Sequence, residues 1–180
     1  MLAAGVEWLQ LRAKRLGAAE LFAGVERLLG SSRDAADRIW VNDRPDVAAL
    51  VPVLGVHLGQ SDLPPQAARH VVGDGCRIGL STHSLEQVEQ AERDPAVDLV
   101  AVGPVFSTAS KENADPVVGL ELVRRARLAT GKPIVAIGGI DGERAGEVLD
   151  AGADSVALIG ALARGDVGEN CRRLLELLEG

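Results

Sequence analysis

The chain has 180 residues and a net charge of −7, with 47% hydrophobic and 25% charged residues, which is typical of a globular protein with one substantial core. The acidic balance argues against a general nucleic-acid binder, and no apolar run approaches the roughly 20 residues of a membrane span. Cys76 and Cys171 lack the spacing of a disulfide framework or a zinc site. Because no signal-peptide pattern opens the chain, we predict one cytoplasmic domain over residues 1–180.

Seven short apolar runs recur along the chain, and longer amphipathic stretches separate them. Runs rich in Val, Ile and Leu on consecutive positions are typical of buried parallel strands. The predicted strands are Trp8–Arg12, Ile39–Asn42, Gly55–Leu58, Arg77–Ser81, Leu99–Val105, Pro133–Ile137 and Ser155–Ile159. The predicted helices are Ala18–Leu29, Leu85–Arg93, Gly119–Thr130, Gly142–Ala151 and Gly165–Leu178, with shorter ones within Arg44–Leu54 and Pro64–Val72.

This alternation indicates a parallel sheet with right-handed crossovers, either an open doubly wound sheet or a closed barrel. An open sheet concentrates its functional residues at one switch point, whereas a barrel collects them from the ends of many strands. Here nearly every predicted strand ends in polar residues or glycine. We therefore predict an α/β fold of the (β/α)8 TIM-barrel type, of which seven βα units are visible.

Three polar side chains alternate along the first predicted strand. Gln10, Arg12 and Lys14 occupy every second position, so all three point to one face of an extended chain. Three such donors at a barrel mouth form an anion site. The alternative is an edge strand with solvated charges, which the apolar surroundings make the weaker interpretation.

Two carboxylates follow neighbouring strands. Asp43 comes after Asn42, and Asp62 comes after Gln60. A pair of carboxylates at adjacent strand ends suits Mg²⁺, which completes its shell with water and substrate phosphates. Asp also commonly caps a following helix, and the spacing alone leaves both interpretations open.

Glycines close the last two predicted strands, at Gly138-Gly139 and at Gly160. Glycine allows a phosphate to approach backbone N–H groups, and barrels often hold a phosphate in these two loops; a plain tight turn is the alternative. The longest polar loop, residues 106–116, carries hydroxyls and a lysine that suit a diphosphate; a flexible loop with scattered charge is the alternative. Among the histidines, we interpret His57 as a satisfied core residue and His83 as a residue that lines the site.

Six segments of the chain together resemble the thiamine phosphate synthase family, and they occur in the family's order along nearly the whole chain. The segments are Gln10–Lys14, Val41–Arg44, Val56–Leu63, Ile78–His83, Val102–Lys111 and Ala136–Ile140. Members of this family are (β/α)8 barrels that join hydroxymethylpyrimidine diphosphate to thiazole phosphate with Mg²⁺ and release pyrophosphate. The resemblance therefore implies a transferase with small-molecule substrates.

The resemblance also implies roles for individual residues. The pyrimidine diphosphate would contact Gln10, Arg12, Lys14, Asn42, Ser81 and Lys111. The thiazole phosphate would contact Thr108, Ala109, Ser110, Gly139, Ile159 and Gly160. Asp43 and Asp62 would hold Mg²⁺. Four of these residues would also act in catalysis: Arg12, Lys14, Ser81 and Lys111.

The chain departs from the family pattern in three places. Ser110 replaces a threonine and keeps its hydroxyl, and Gly160 stands where the family often has serine. The family also carries a further strand and helix before Gln10–Lys14, so we expect a gap in the barrel. Three explanations are a late start codon, a natural truncation, or a partner chain that fills the gap, as in a homo-oligomer.

Two rival functions stay open. One is a thiazole tautomerase of the same fold, and the other is a non-catalytic phosphate-binding barrel.

Overall fold

Seven strands alternate with seven helices in this computed structural model, which describes residues 1–108, 116–160, 162 and 165–179. The strands are β1 (Leu9–Leu11), β2 (Ile39–Asn42), β3 (Gly55–Leu58), β4 (Arg77–Thr82), β5 (Leu99–Val102), β6 (Ile134–Ile137) and β7 (Ser155–Ala157). The helices are α1 (Ala18–Leu29), α2 (Pro45–Ala48), α3 (Pro65–Val72), α4 (Leu85–Arg93), α5 (Gly119–Ala129), α6 (Gly142–Asp150) and α7 (Val167–Glu179). Two short 3-10 helices, Leu2–Ala4 and Ala35–Asp37, precede β1 and β2.

All seven strands form one parallel sheet in the order β1-β2-β3-β4-β5-β6-β7. A doubly wound sheet would reverse its strand order at a switch point, and this sheet keeps one direction throughout. The barrel-type prediction is therefore confirmed. In the described part of the chain β1 and β7 each pair with a single strand, so the sheet curls without closing between them.

Successive side chains of each strand face opposite sides of the sheet. The outward side chains, such as Val41 and Val56, pack against the helices in two buried clusters. The inward side chains line the barrel interior, where Trp40 of β2 covers Gly55 of β3 so closely that a Cβ at Gly55 would lie 2.4 Å from the Trp40 ring. The large ring of Trp40 thus lies against a residue without a side chain on the neighbouring strand, which fills this part of the interior without overpacking.

The helices begin where the sequence offers a suitable first turn. Pro65 occupies the first turn of α3 as expected, because its missing N–H has no partner there in any helix. Ser84 Oγ accepts a hydrogen bond from Gln87 N at the start of α4, and Asp141 Oδ1 accepts one from Arg144 N at the start of α6. No helix in the described ranges is long and apolar enough to cross a bilayer.

Most element boundaries agree with the sequence within two residues, but β5 ends three residues early, at Val102 rather than Val105. Pro104 has no N–H to donate, which interrupts regular pairing. The chain nevertheless stays beside β6, because Val105 N donates to Ile137 O and Phe106 N donates to Gly138 O, both at 2.9 Å. The predicted strand therefore continues as an irregular segment that leads into the loop after β5.

An arginine–aspartate bracket fastens the amino-terminal ends of β4 and β5. Asp98 Oδ2 accepts hydrogen bonds from Ile78 N at 2.7 Å and from Arg69 Nη2 at 2.6 Å. Asp98 N in turn donates to Ile78 O at 2.8 Å. Arg69, on α3, also donates to Cys76 O and Ala96 O, so one guanidinium joins a helix to two strand entrances.

The same bracket occurs again at β6 and β7. Asp154 Oδ2 accepts from Ile134 N at 2.7 Å and from Arg127 Nη1 at 2.9 Å, and Asp154 N donates to Ile134 O. Both brackets lie at the end of the barrel opposite the predicted site. We infer that they stabilise the sheet and have no direct part in chemistry.

Replacing Asp98 by Ala should lower the free energy of unfolding by about 2 kcal/mol, because a partly buried guanidinium and the Ile78 N–H lose their shared acceptor. Urea denaturation measures this change. The control is Arg93→Ala, which removes an exposed pair with Glu89 and should cost less than about 0.5 kcal/mol. Equal effects of the two variants would contradict the bracket.

Candidate active site

The predicted site residues on β1 to β4 lie toward one rim of the sheet, because the carboxyl ends of parallel strands meet there. Gln10 pairs in register with Trp40, so its side chain faces the barrel interior, and it is exposed. Asn42 ends β2 and is buried, and it pairs in register with His57 of β3. Of the three alternating donors predicted on the first strand, strand register thus covers Gln10, whereas Arg12 and Lys14 lie beyond the end of β1 at Leu11.

Two cations and an amide converge on the end of β2. Lys14 Nζ lies 3.3 Å from Asp43 Oδ2, and Arg12 Nη1 lies 3.9 Å from the same oxygen. Arg12 Nη1 also donates to Asn42 Oδ1 at 3.4 Å. These four side chains form a polar cluster in which each positive charge is already directed toward the rim.

Asp43 is held in an unusual backbone conformation. Its φ is 61°, in the left-handed region that few residues other than glycine adopt. Asp43 N donates to His57 O at 2.8 Å, which fixes the turn against β3. The turn aims the carboxylate at Lys14 rather than along the strand.

Asp62 supplies the second carboxylate of the site. Asp62 Oδ2 accepts a hydrogen bond from Gly59 N at 2.7 Å, within the turn after β3. Burial raises the pKa of Asp62, the Gly59 N–H opposes that rise, and Asp43 adds to it. Asp43 and Asp62 are therefore close enough for their negative charges to interact.

The helix-cap interpretation of the two carboxylates is wrong. The N-cap residue of α2 is Arg44 and that of α3 is Pro64. In the described ranges no group of three or more His, Cys, Asp and Glu side chains could hold a metal ion. A cation at this rim would therefore rest on Asp43 and Asp62 and take its other ligands from water and substrate, as Mg²⁺ commonly does.

Ser81 lies inside the barrel near the end of β4. It is 6% exposed, and its hydroxyl oxygen lies 2.8 Å from His57 Nε2. Gln60 Nε2 donates to Ser81 O at 2.7 Å. Neighbouring strand ends therefore hold both the backbone and the side chain of Ser81.

The loops after β5 and β6 pack closely together. Gly139 has a φ of 66°, and a Cβ there would lie 2.5 Å from Ser107 O, so only glycine fits this position. Thr108 follows Ser107 in the chain and is half-buried. Ala109, Ser110 and Lys111 lie outside the described residues.

Arg144 joins these same two loops, and the sequence analysis missed it. Arg144 Nη1 donates to Gly139 O at 3.0 Å, and the guanidinium carbon lies 4.8 Å from the centre of the Phe106 ring. This cation–π contact stacks α6 onto the loop after β5. Its position in the first turn of a predicted helix gave no signal that it turns back toward the rim.

The last predicted pair, Ile159 and Gly160, follows β7. Ile159 is 61% exposed, and Gly160 is also exposed. A Cβ at Gly160 would meet nothing within 4 Å, so packing does not require glycine here. The structure places this pair at the same end of the sheet as Gly139, and it gives no contact that joins the two positions.

His83 and His57 differ in their placement. His83 Nδ1 lies 2.5 Å from Gly103 O, so the ring connects the loops after β4 and β5. His57 is buried as expected, but its ring faces Ser81 in the barrel interior rather than the helices. No local pattern signals this orientation, because it is the pairing of β2 with β3 that puts His57 in one register row with the predicted site residue Asn42.

Comparison with known proteins gives a consistent set of relatives. The family model described as thiamine monophosphate synthase matches residues 1–162. The thiamine-phosphate synthase of Koribacter versatilis is 46% identical over 162 residues, which cover 90% of this chain and 76% of that protein. The thiamine-phosphate synthase of Methanospirillum hungatei is 42% identical over 178 residues, 98% of this chain and 86% of that protein. Among solved structures, thiamine phosphate pyrophosphorylase from Pyrococcus furiosus superposes with a TM-score of 0.88 at 34% identity, covering 99% of this chain and 85% of that chain.

Replacing Asp43 by Asn should lower the pKa of Asp62, because the neighbouring negative charge that opposes its ionisation is removed. Lys14→Met is the matched change of opposite sign: it removes a cation that favours the ionised form, so the pKa of Asp62 should rise. Carboxyl ¹³C NMR titration in cation-free buffer measures both shifts.

The same shift has a consequence for stability. Folding raises the pKa of Asp62. The contribution of this carboxyl group to stability therefore falls as the pH rises from the pKa of an ordinary aspartate through the higher pKa of Asp62 in the folded protein. Asp43→Asn should weaken that fall. Movement of the Asp62 pKa in the same direction in both variants would contradict this electrostatic account.

Proposed function

The chain belongs to the thiamine monophosphate synthase family, and from this premise we propose that it joins hydroxymethylpyrimidine diphosphate to thiazole phosphate, with Mg²⁺, to give thiamine phosphate and pyrophosphate. The observation that carries the proposal is the cluster in which Lys14 and Arg12 converge on Asp43 beside Asp62. It offers two cations and two carboxylates at one rim. A substrate diphosphate needs that combination, because its charge must be both attracted and neutralised.

In the proposed reaction, the bond between the pyrimidine methylene carbon and the diphosphate oxygen breaks, and both electrons leave with the diphosphate. The thiazole nitrogen then donates its lone pair to that carbon and forms the new carbon–nitrogen bond. No side chain has to become covalently attached to the substrate. The protein orients the two substrates and compensates the negative charge on the departing diphosphate. It also excludes water from the pyrimidine methylene cation that this departure leaves.

Individual residues have distinct parts in this proposal. Arg12 and Lys14 attract the diphosphate, and Lys111, which follows β5 in the sequence, is a further proposed contact. Gln10, Asn42 and Ser81 orient the pyrimidine part of the same substrate from inside the barrel. The exchange of Asp43 for a diphosphate oxygen as the partner of Lys14 would keep that ammonium group paired throughout.

Asp43 and Asp62 are the residues proposed to hold Mg²⁺. Burial is the main cause of the raised pKa of Asp62, and Asp43 adds to it. The nearness of the two carboxylates supports this assignment, because a bound divalent cation would relieve their repulsion. Bound Mg²⁺ would neutralise negative charge that develops on the leaving diphosphate.

The thiazole phosphate is proposed to bind at the loops after β5, β6 and β7. The proposed contacts are Thr108, Ala109 and Ser110, which follow β5 in the sequence, Gly139 after β6, and Ile159 with Gly160 after β7. The positive φ of Gly139 supports a phosphate site, because such glycines bring backbone N–H groups close to an anion. Arg144 fastens the first two loops to each other.

Mixing the protein with both substrates and Mg²⁺ should release one pyrophosphate for each thiamine phosphate formed. A coupled pyrophosphatase assay measures the release, and chromatography identifies the product. Chelation with EDTA should stop the reaction, and added Mg²⁺ should restore it. No release by the folded protein would contradict the proposal, and isomerisation of a thiazole carboxylate phosphate would instead support a tautomerase.

Lys111→Ala should reduce turnover by about 100-fold, because one cation that stabilises the leaving diphosphate is removed. Its melting temperature should stay close to that of the unsubstituted protein. Lys132→Ala is the reciprocal control: Lys132 Nζ donates to Ala91 O and Asp94 O at 2.6 Å each, far from the rim. That variant should lose about 2 kcal/mol of stability and keep its turnover; an unchanged rate in Lys111→Ala would remove Lys111 from the site.

A further inference from the structure

A buried histidine contacts the hydroxyl of a proposed substrate-binding residue. His57 Nε2 lies 2.8 Å from Ser81 Oγ across β3 and β4. The two residues are 8% and 6% exposed, so water competes little for this hydrogen bond. Buried polar pairs of this kind restrict each other's rotamers.

The neighbouring strand leaves room for the imidazole ring. Gly79 pairs in register with His57, and a Cβ at Gly79 would lie 2.8 Å from His57 Nδ1 and 3.0 Å from Leu99. Any larger residue would force the ring to move. Because position 79 has no side chain, the imidazole ring can lie where it does, beside Ser81.

Ser81 is held from a second direction as well. Gln60 Nε2 donates to Ser81 O at 2.7 Å, which fixes the backbone of the residue from the turn after β3. A serine hydroxyl otherwise rotates among three staggered positions. With the backbone held by Gln60, the contact with His57 selects one of those positions.

We propose that His57 is a positioning residue for the reaction: it holds the Ser81 hydroxyl in the orientation that binds the pyrimidine diphosphate. This inference rests on the proposed function. It goes beyond it by assigning His57, which the sequence suggested was only a core residue, a role that operates through Ser81. His57 does not itself have to touch the substrate.

The alternative is that His57 only fills space in the barrel interior. A space-filling role predicts that the effect of a substitution at His57 is the same whether Ser81 has its hydroxyl or lacks it. A positioning role predicts that the effect disappears once the hydroxyl is gone. The two roles are therefore separated by a double-mutant cycle.

The test uses two amides at position 57 that differ in reach. The Gln side chain in His57→Gln extends far enough to place its amide near the position of Nε2, whereas the shorter Asn in His57→Asn ends near the position of Nδ1. Each variant is made in the unsubstituted protein and in Ser81→Ala. Pyrophosphate release then gives kcat/KM for the pyrimidine diphosphate and KM for the thiazole phosphate, and thermal unfolding of each variant checks that it is folded.

We expect His57→Asn to lower kcat/KM for the pyrimidine diphosphate about tenfold, and His57→Gln to lower it less. KM for the thiazole phosphate should not change. In the Ser81→Ala background, His57→Asn and His57→Gln should have the same activity as Ser81→Ala alone.

An equal loss from His57→Asn with and without the Ser81 hydroxyl would overturn the positioning role, as would equal activities of the two amide variants in the unsubstituted protein. If one variant does not fold, the comparison of the other with and without the hydroxyl still decides. The outcome is separate from the proposed function, which fails only if the unsubstituted protein releases no pyrophosphate.

Discussion

The pairing of seven parallel strands in chain order is the constraint on which the rest of the structure depends. Each strand adds beside the one before it, so every carboxyl end reaches the same rim and every amino end reaches the opposite one. Short peptide segments that are far apart in sequence thereby share one site. Main-chain hydrogen bonds between the strands bring the site residues together, so their side chains do not have to contact one another for the site to form. These residues are 10 to 14, 42 to 43, 62 and 81.

Opposite charges lie close together at the rim. Asp43 lies near Lys14 and Arg12 and also near Asp62, so it pairs with the two cations and disfavours ionisation of the second carboxyl. A site that offered bare cations would attract many anions, and one that offered bare carboxylates would unfold more readily as the pH rose. Two cations and two carboxylates together keep the formal charge of this cluster close to neutral.

Much of this arrangement could be predicted from the sequence, because strand length, apolar content and the polar residue after each strand are local properties. Ala18–Leu29 and Leu85–Arg93 begin and end where the pattern indicated. The inward face of His57 and the return of Arg144 to the rim depend on strand register and on contacts between elements, which no local pattern encodes. The early end of β5 is different, because Pro104 marks it in the sequence. The sequence alone also could not decide whether Asp43 and Asp62 cap the following helices, because that depends on the residues at which α2 and α3 begin.

The two arginine–aspartate brackets have a consequence for how the sheet is organised. At both β4–β5 and β6–β7, the Oδ2 atom of an aspartate before the second strand accepts hydrogen bonds from an isoleucine N–H of the first strand and from an arginine of the helix before it. The structural period of this half of the sheet is therefore two strands, although the chain repeats a strand and a helix. Each strand pair is therefore fastened at its amino-terminal end by side chains that take no part in the contacts at the rim, so the loops at the rim can differ between the two pairs without disturbing either bracket.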